Sequence, residues 1–525
     1  MNLSRREFNP IILALVVLLV GATAGALFGE RSVPDDETQL MLRASKVVNL
    51  LLEWLPTEHD PADIVYDGIA GMLEVLDPHS NYLDPRTFHK MRSRQEGSFF
   101  GVGIIISRRD AKITVIAPMA GTPAASVGLR AGDVIAAVGG ESTEGLSLDD
   151  VVDLVRGPEG TAVTLTIARP GLKETFDVEI TRTRIPQTTV RYAFMVEPEV
   201  GYIRLSEFTT SSEREVREAI DRLEAEGMKS LIFDLRNNPG GSLDAAIGVS
   251  DVFLAKGDLI VTTRGRTPSS QTTLDAPGHG RPFQGPVVVL VNEGSASASE
   301  IVAGALQDHD RGLVLGEVTW GKGLVQTVFT VRDTGLALTT ARYYTPSGRS
   351  IQRAYDSYIE YITHRNGTNG NAIYETSAGR TVLGGGGITP DITVTARTLS
   401  ENLARLYGNS AFFRFAIELL KGVPENEFAD YGRAFEVDSK TLDRFWTWVE
   451  HEDILSDADV EELKQSTQDV ADVTLGIRTE VLNATLGLDD GYRAYLETDD
   501  QFVAALGHLD EAMDFWIAWQ NAHLD

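Results

Sequence analysis

Three serines, Ser295, Ser297 and Ser299, alternate with alanines in the stretch NEGSASASEIV between Asn292 and Val302. An apolar run, PVVVLVN, precedes them and reads as a buried strand. SEIVAGALQDH follows and reads as a helix with Ile301, Val302, Ala305 and Leu306 apolar. A hydroxyl at a strand-to-helix turn can be a nucleophile if a base takes its proton. Ser299 fits the helix N-cap, with Val302 rather than Glu at the capping-box position, and Ser295 falls in the loop. Ser297 is left to present its hydroxyl, between two alanines that leave room for a substrate backbone. The alternative is a tightly packed turn of small residues in which no serine reacts.

The base has to come from elsewhere in the chain. The nine histidines lie apart and none has a partner at ligand spacing, so a Ser-His-Asp triad has no support. HExxH, EF-hand, Walker A and GxSxG patterns are all missing. GEVTWGKGLVQTVFTV offers Lys322, set between two glycines and two residues after Trp320. A lysine accepts a proton only when neutral, and burial against apolar walls disfavours its charged form. On a strand, positions 322, 324 and 326 share a face, which would let Gln326 orient the amine. A solvated loop lysine is the alternative. An oxyanion would also need donors. In SLIFDLRNNPGGSLDAA, Gly240 and Gly241 leave N–H groups open between a strand and a helix start, and the N–H of Ala298 can join them. An ordinary left-handed turn would look the same.

The surrounding pattern is multidomain α/β. Residues 31–96 read as a helical region, and 97–184 as short strands with glycine punctuation and two helices. Strands and helices alternate over 185–397, as in an α/β layer, and 398–525 is helical again. The stretches LDPHSNYL, FDLRNNPGGSLDAA, VNEGSASASEIVAGALQD, GEVTWGKGLVQT, TTARYYTPSGRSIQ and GGGGITPDITV, in that order, resemble the C-terminal processing peptidases, the tail-specific serine proteases of bacteria and plastids. The resemblance runs from about residue 76 to 394. It implies that Ser297 is the nucleophile, Lys322 the general base and Gln326 its orienting partner, a Ser–Lys dyad with no metal or cofactor. Val318 and Trp320 stand where the family more often has proline and phenylalanine.

The resemblance also identifies residues 97–184 as a PDZ domain, with residues 185–397 the serine peptidase core. A PDZ domain adds an extended peptide to a strand edge and holds its terminal carboxylate in a loop of backbone N–H groups. Here that loop is FFGVGI, with Phe100, Gly101, Val102, Gly103 and Ile104, and the helix DDVVDLV forms the other groove wall. The implied function is an endopeptidase that recognises protein C-terminal tails and cleaves by acyl transfer. A catalytically silent PDZ-containing binding or scaffold protein on the same fold is the rival reading.

Composition bounds the rest. The 525 residues carry a formal net charge of −29, which argues against nucleic acid as a partner. From Glu401 onward, 27 acidic residues face 9 basic ones. This acidic helical domain is either a solvated surface or an interface for a homo-oligomer or an activating adaptor. Cysteine is absent, so disulfides are excluded. Near the start, Arg5 and Arg6 precede an uncharged run from Phe8 to Gly29, whose apolar heart is Ile11–Phe28. Eighteen residues of helix span about 27 Å, enough for a bilayer core. Residues 1–30 are therefore expected to be a cytoplasmic tip and transmembrane helix, or a cleaved signal. In both cases the chain is exported, and an uncleaved anchor in a bacterial inner membrane would place the catalytic part in the periplasm.

Overall fold

The computed structural model describes residues 35–95, 98–109, 111–119, 121–354 and 372–523. The expected membrane segment Ile11–Phe28 lies outside the described residues. Among those described, no helix is long and apolar enough to cross a membrane. The chain divides after Asp84 into two compact units.

The first unit holds helices α1 (Asp35–Trp54) and α2 (Pro61–Glu74). Asp60 starts α2: its carboxylate accepts from Ala62 N at 2.8 Å, and Pro61 takes the first helical position, where a missing N–H costs nothing. Their apolar side chains are largely uncovered: Leu40, Met41, Leu50, Trp54 and Met72 are exposed.

The second unit opens with α3 (Pro85–Gln95) and a β-rich segment. Strand β1 (Ser98–Gly101) leads into an antiparallel sheet of β2 (Ile104–Arg109), β3 (Lys112–Pro118), β4 (Val134–Val138), β5 (Ala162–Ala168) and β6 (Phe176–Thr181), in that spatial order. In β5, Val163, Leu165 and Ile167 point inward and alternate with more exposed residues, as a half-buried strand requires. They meet Val151 and Val155 of helix α4 (Leu148–Val155) in one core. A reciprocal box of Ser147 and Asp150 caps α4, with both backbone contacts at 3.1 Å. Strand β7 (Thr183–Pro186) pairs with β1 and forms the neck of the segment.

Beyond the neck lies a six-stranded sheet of β8 (Val190–Glu197), β9 (Val200–Leu205), β10 (Ser230–Asp234), β11 (Val287–Val291), β12 (Leu313–Gly316) and β13 (Ile392–Thr393). Only the β8–β9 pair is antiparallel. Helices α5 (Ser212–Ala225), α6 (Leu243–Asp251) and α7 (Ala298–Asp308) cover one face, packing on Phe233, Val287, Val289 and Val291. The other face is covered from far along the chain. Ile232, Val288, Leu290, Leu313 and Leu315 pack against Leu496, Phe502, Ala505 and Ala512. These belong to α8 (Leu488–Leu496), α9 (Asp500–Gly507) and α10 (Leu509–His523). Burial on both faces explains why β11 reads as unbroken apolar sequence. Helices between Glu401 and Thr485 build a separate aromatic core around Phe412, Phe415 and Phe445.

At the end of β10, Asp234 is fully buried beneath the Tyr202 hydroxyl, which donates to it at 2.6 Å, and the Arg236 guanidinium, which donates at 2.7 Å. Burial alone would raise this carboxyl; the facing Arg236 charge and the hydrogen bonds win and hold it below its ordinary value. Its stabilisation is therefore present above the unfolded carboxylate value of about 3.9 and is lost as pH falls through the lower folded value. Urea midpoints are expected to drop between pH 5 and pH 3. Asp234→Asn should flatten that slope and cost on the order of 3 kcal/mol at neutral pH.

Candidate active site

The strand-end loops converge on a cleft of about 360 Å³, and Gly240, Gly241, Ser297, Ala298, Lys322 and Gln326 all line it. Burial separates the three serines. Ser295 is buried and donates to Leu235 O at 2.8 Å; Ser299 is buried and donates to Asn238 O at 2.9 Å. Both fit the packing role. Ser297 alone is partly open and faces the cleft.

The helix begins earlier than its sequence pattern indicates. Its N-cap is Ser297, not Ser299, so the capping-box position falls on Glu300 and not on Val302. The Glu300 carboxylate accepts from Ser297 N at 2.8 Å. The Ser297 N–H is thereby taken up, and the Glu300 N–H in turn donates to Ser297 O at 2.9 Å. Ser297 holds φ 56° and ψ −112°, a costly conformation for a residue with a Cβ. Such a strained turn lifts a side chain off the strand end, as at nucleophile elbows.

Lys322 lies between Gly321 and Gly323, just ahead of strand β14 (Leu324–Val331), which pairs antiparallel with Thr334–Tyr344 in a sheet separate from the six-stranded one. A shared strand face therefore does not explain its pairing with Gln326, and the ladder register shifts between Val325 and Gln326. The side chains meet all the same: Lys322 Nζ donates to Gln326 Oε1 at 3.2 Å. The Trp320 ring faces the Arg353 guanidinium, 5.3 Å from the ring centre.

Two residues that the sequence reading missed bind the serine turn to the lysine loop. Glu300 is fully buried, and besides Ser297 N it accepts from Lys322 N at 2.9 Å, Gly321 N at 2.7 Å and Thr319 Oγ1 at 2.6 Å. Burial pushes its carboxyl above the ordinary value, against the pull of those four donors. From the other side, the buried Tyr343 hydroxyl sits 2.6 Å from Lys322 O and 3.1 Å from Ser297 O, and donates to them. The two loops are thus pinned by their N–H groups through one side chain and by their carbonyls through another. Glu300 stands three residues after Ser297, the spacing that would have revealed it once the N-cap was placed there.

The glycines are needed for close approach. Gly240 has φ 96°, and a Cβ there would lie 2.8 Å from both Ser297 Cβ and Ala298 N. Its N–H is already used, donating to Asn238 Oδ1 at 2.9 Å, so it does not open to the cleft as expected. Gly241 has φ 150° and a Cβ would strike Phe208 O at 2.1 Å. The bridge between these segments runs through Phe208 N to Gly240 O and Ser242 N to Phe208 O, both 3.0 Å. The Gly241 N–H stays outside it.

Of the predicted carboxylate loop, Phe100 and Gly101 belong to β1, paired with Arg184 and Thr183, and Ile104 begins β2. The loop proper is Val102 and Gly103. Its carbonyls turn away, accepting from Ala124 N and Met119 N, each at 2.9 Å. Strand β2 is the sheet edge, so its outer backbone side is available to an added strand.

Residues 199–359 match Peptidase family S41, and residues 114–169 match the PDZ domain. The carboxy-terminal-processing protease of Bartonella bacilliformis is 44% identical over 298 residues, which cover 56% of this chain and 68% of that protein. The chain belongs to the C-terminal processing peptidases. A second relative, the carboxyl-terminal-processing protease of Synechocystis, is 38% identical over 55% of this chain and 68% of its own length. Among solved structures, a photosystem II D1 C-terminal processing protease is 31% identical, covering 66% of this chain and 85% of that one, with a TM-score of 0.35. The peptidase is thus a PDZ-containing serine protease of mixed α/β fold with a helical C-terminal region.

Proposed function

We propose that Ser297 and Lys322 form the catalytic dyad of this serine protease. The observation that carries it is that both side chains line one cleft while one carboxylate, Glu300, holds both of their backbones. Neutral Lys322 takes the Ser297 Oγ proton as the oxygen attacks the scissile carbonyl. The tetrahedral oxyanion receives the N–H groups of Gly241 and Ala298, with Gly240 serving close packing instead. As the C–N bond breaks, the lysine returns the proton to the leaving amine. Water then opens the acyl-enzyme with the same lysine as base. Gln326 directs the amine by accepting one of its protons. Peptide cleavage by chains carrying Ser297→Ala or Lys322→Ala tests this, and full activity in either overturns it.

The substrate is a protein tail that adds to β2 and presents its carboxylate to Val102 and Gly103. A tagged peptide with an amidated C-terminus is expected to show a KM about tenfold higher than the free acid; equal values would remove the PDZ domain from tail recognition. The segment Ile11–Phe28 anchors the chain in a bacterial inner membrane, with Arg5 and Arg6 inside and the cleft in the periplasm. The uncovered apolar side chains of α1 and α2 support a homo-oligomer built through them, and the acidic C-terminal region supports an adaptor.

A further inference from the structure

The oxyanion loop, Arg236 to Ser242, is held at its far end by the last helices of the chain. Arg236 is 7% exposed and its guanidinium spans two carboxylates. One edge, Nε and NH2, donates to Asp234 at 3.0 and 2.7 Å. The other, NH1, donates to both oxygens of Asp499, at 2.8 and 2.7 Å, and to Gln501 Oε1 at 3.0 Å. Asp499 is itself fixed as the N-cap of α9, accepting from Phe502 N at 3.0 Å, and Gln501 Nε2 donates to Val394 O at 2.8 Å. From Arg236 the loop runs through two asparagines to the glycines. Asn237 N donates to Asn292 Oδ1 at 2.8 Å, and Asn238 O accepts from Ala296 N at 3.0 Å and from Ser299.

The loop therefore has two supports. Its glycine end rests on the serine turn, and its arginine end rests on a carboxylate from a helix start 263 residues away. From this geometry we infer that Asp499 is a positioning residue for the oxyanion hole: by fixing Arg236 it sets where the Gly241 N–H points. The inference rests on the reading of Gly241 and Ala298 as oxyanion donors. A guanidinium is a planar fork, so rotating one edge away from Asp499 rotates the other against Asp234 and pulls on the Arg236 backbone, whose N–H also donates to Asp234 at 2.8 Å. Donors aimed at a developing oxyanion act in the transition state and little in the ground state, so misaiming one lowers kcat more than it raises KM.

The test is Asp499→Asn in the full chain. Asparagine keeps the helix cap and removes the charge. The expected result is a kcat at least tenfold lower per titrated active site, with KM within about twofold and affinity for a substrate-derived peptide boronate, whose tetrahedral adduct occupies the hole, falling in parallel. Gln501→Met, which keeps the side-chain volume and deletes the bond to Arg236, is expected to move the same three quantities the same way by a few-fold. It decides the matter if Asp499→Asn does not fold. A merely structural contact would reduce the number of titratable sites and leave kcat per site and boronate affinity unchanged, and that result overturns the inference. Ser297→Ala run beside these variants separates the two readings: if it still cleaves, the site assignment itself fails, whereas a dead Ser297→Ala with a normal Asp499→Asn overturns the positioning role alone.

Discussion

Lys322→Arg is expected to be as inactive as Lys322→Ala, with kcat about 10⁴-fold below the parent and the melting temperature little changed. The comparison separates two ways a lysine can serve a serine. If the side chain worked as a fixed positive charge, arginine would keep much of the effect and could still donate to Gln326, which now receives the lysine amine at 3.2 Å. Arginine does not give up its proton in a protein, so it cannot take one from Ser297. Lys322 is half-buried and its loop is fixed by backbone contacts to Glu300 and Tyr343, so the fold should survive either change. Substantial turnover by the arginine variant, measured on a peptide with active sites counted, would show that Lys322 is not the base.

Glu300→Gln is expected to lower kcat at least about a hundredfold while changing no group that touches substrate. Each carboxylate oxygen accepts from two donors, Oε1 from Thr319 and Gly321, Oε2 from Ser297 and Lys322. A glutamine amide offers one oxygen, and its NH2 would face two donors on the other side. Those groups are buried, so leaving them unmet costs about 1–3 kcal/mol, and the loops move apart to find water or new partners. A shift of about 1 Å between nucleophile and base is enough for a hundredfold loss. Glu300→Asp, which keeps the charge but is shorter, should recover part of the rate; a Gln variant with normal kcat would make Glu300 a structural cap only. The raised carboxyl value sets a pH sign as well. Between the unfolded value and the higher folded one, the native state holds the extra proton, so stability falls as pH rises across that window. Activity moves the opposite way, because a protonated Glu300 loses an acceptor site.

Legibility in the sequence followed the range of the contacts. That Ser297 and Lys322 line one cleft follows the sequence expectation, because each sits in a short stretch of distinctive residues, and the β5 alternation and the apolar run of β11 declared their strands. The errors were local ones of a residue or two. Moving the cap from Ser299 to Ser297 exposes Glu300, and starting the strand at Leu324 rather than at Lys322 removes the shared face. Trp320 beside the lysine in sequence turns to Arg353 in space. Contacts between distant segments left no trace. Nothing near Arg236 points to Asp499, and nothing in the apolar run of β11 says that α9 and α10 cover its second face. Periodicity reports that a face is buried and is silent on what buries it.

That second cover has a consequence for how the molecule comes into being. During synthesis the strands carrying Ile232, Val288, Leu290 and Leu313 leave the ribosome well before Leu496, Phe502 and Ala512 exist. Until then one face of this sheet is a bare oily surface, and Arg311, destined to lie 4.6 and 5.1 Å from the stacked Trp516 and Trp519 rings, lacks those aromatic neighbours. The sheet that carries the serine turn therefore gains its second apolar cover only once α8, α9 and α10 have been made.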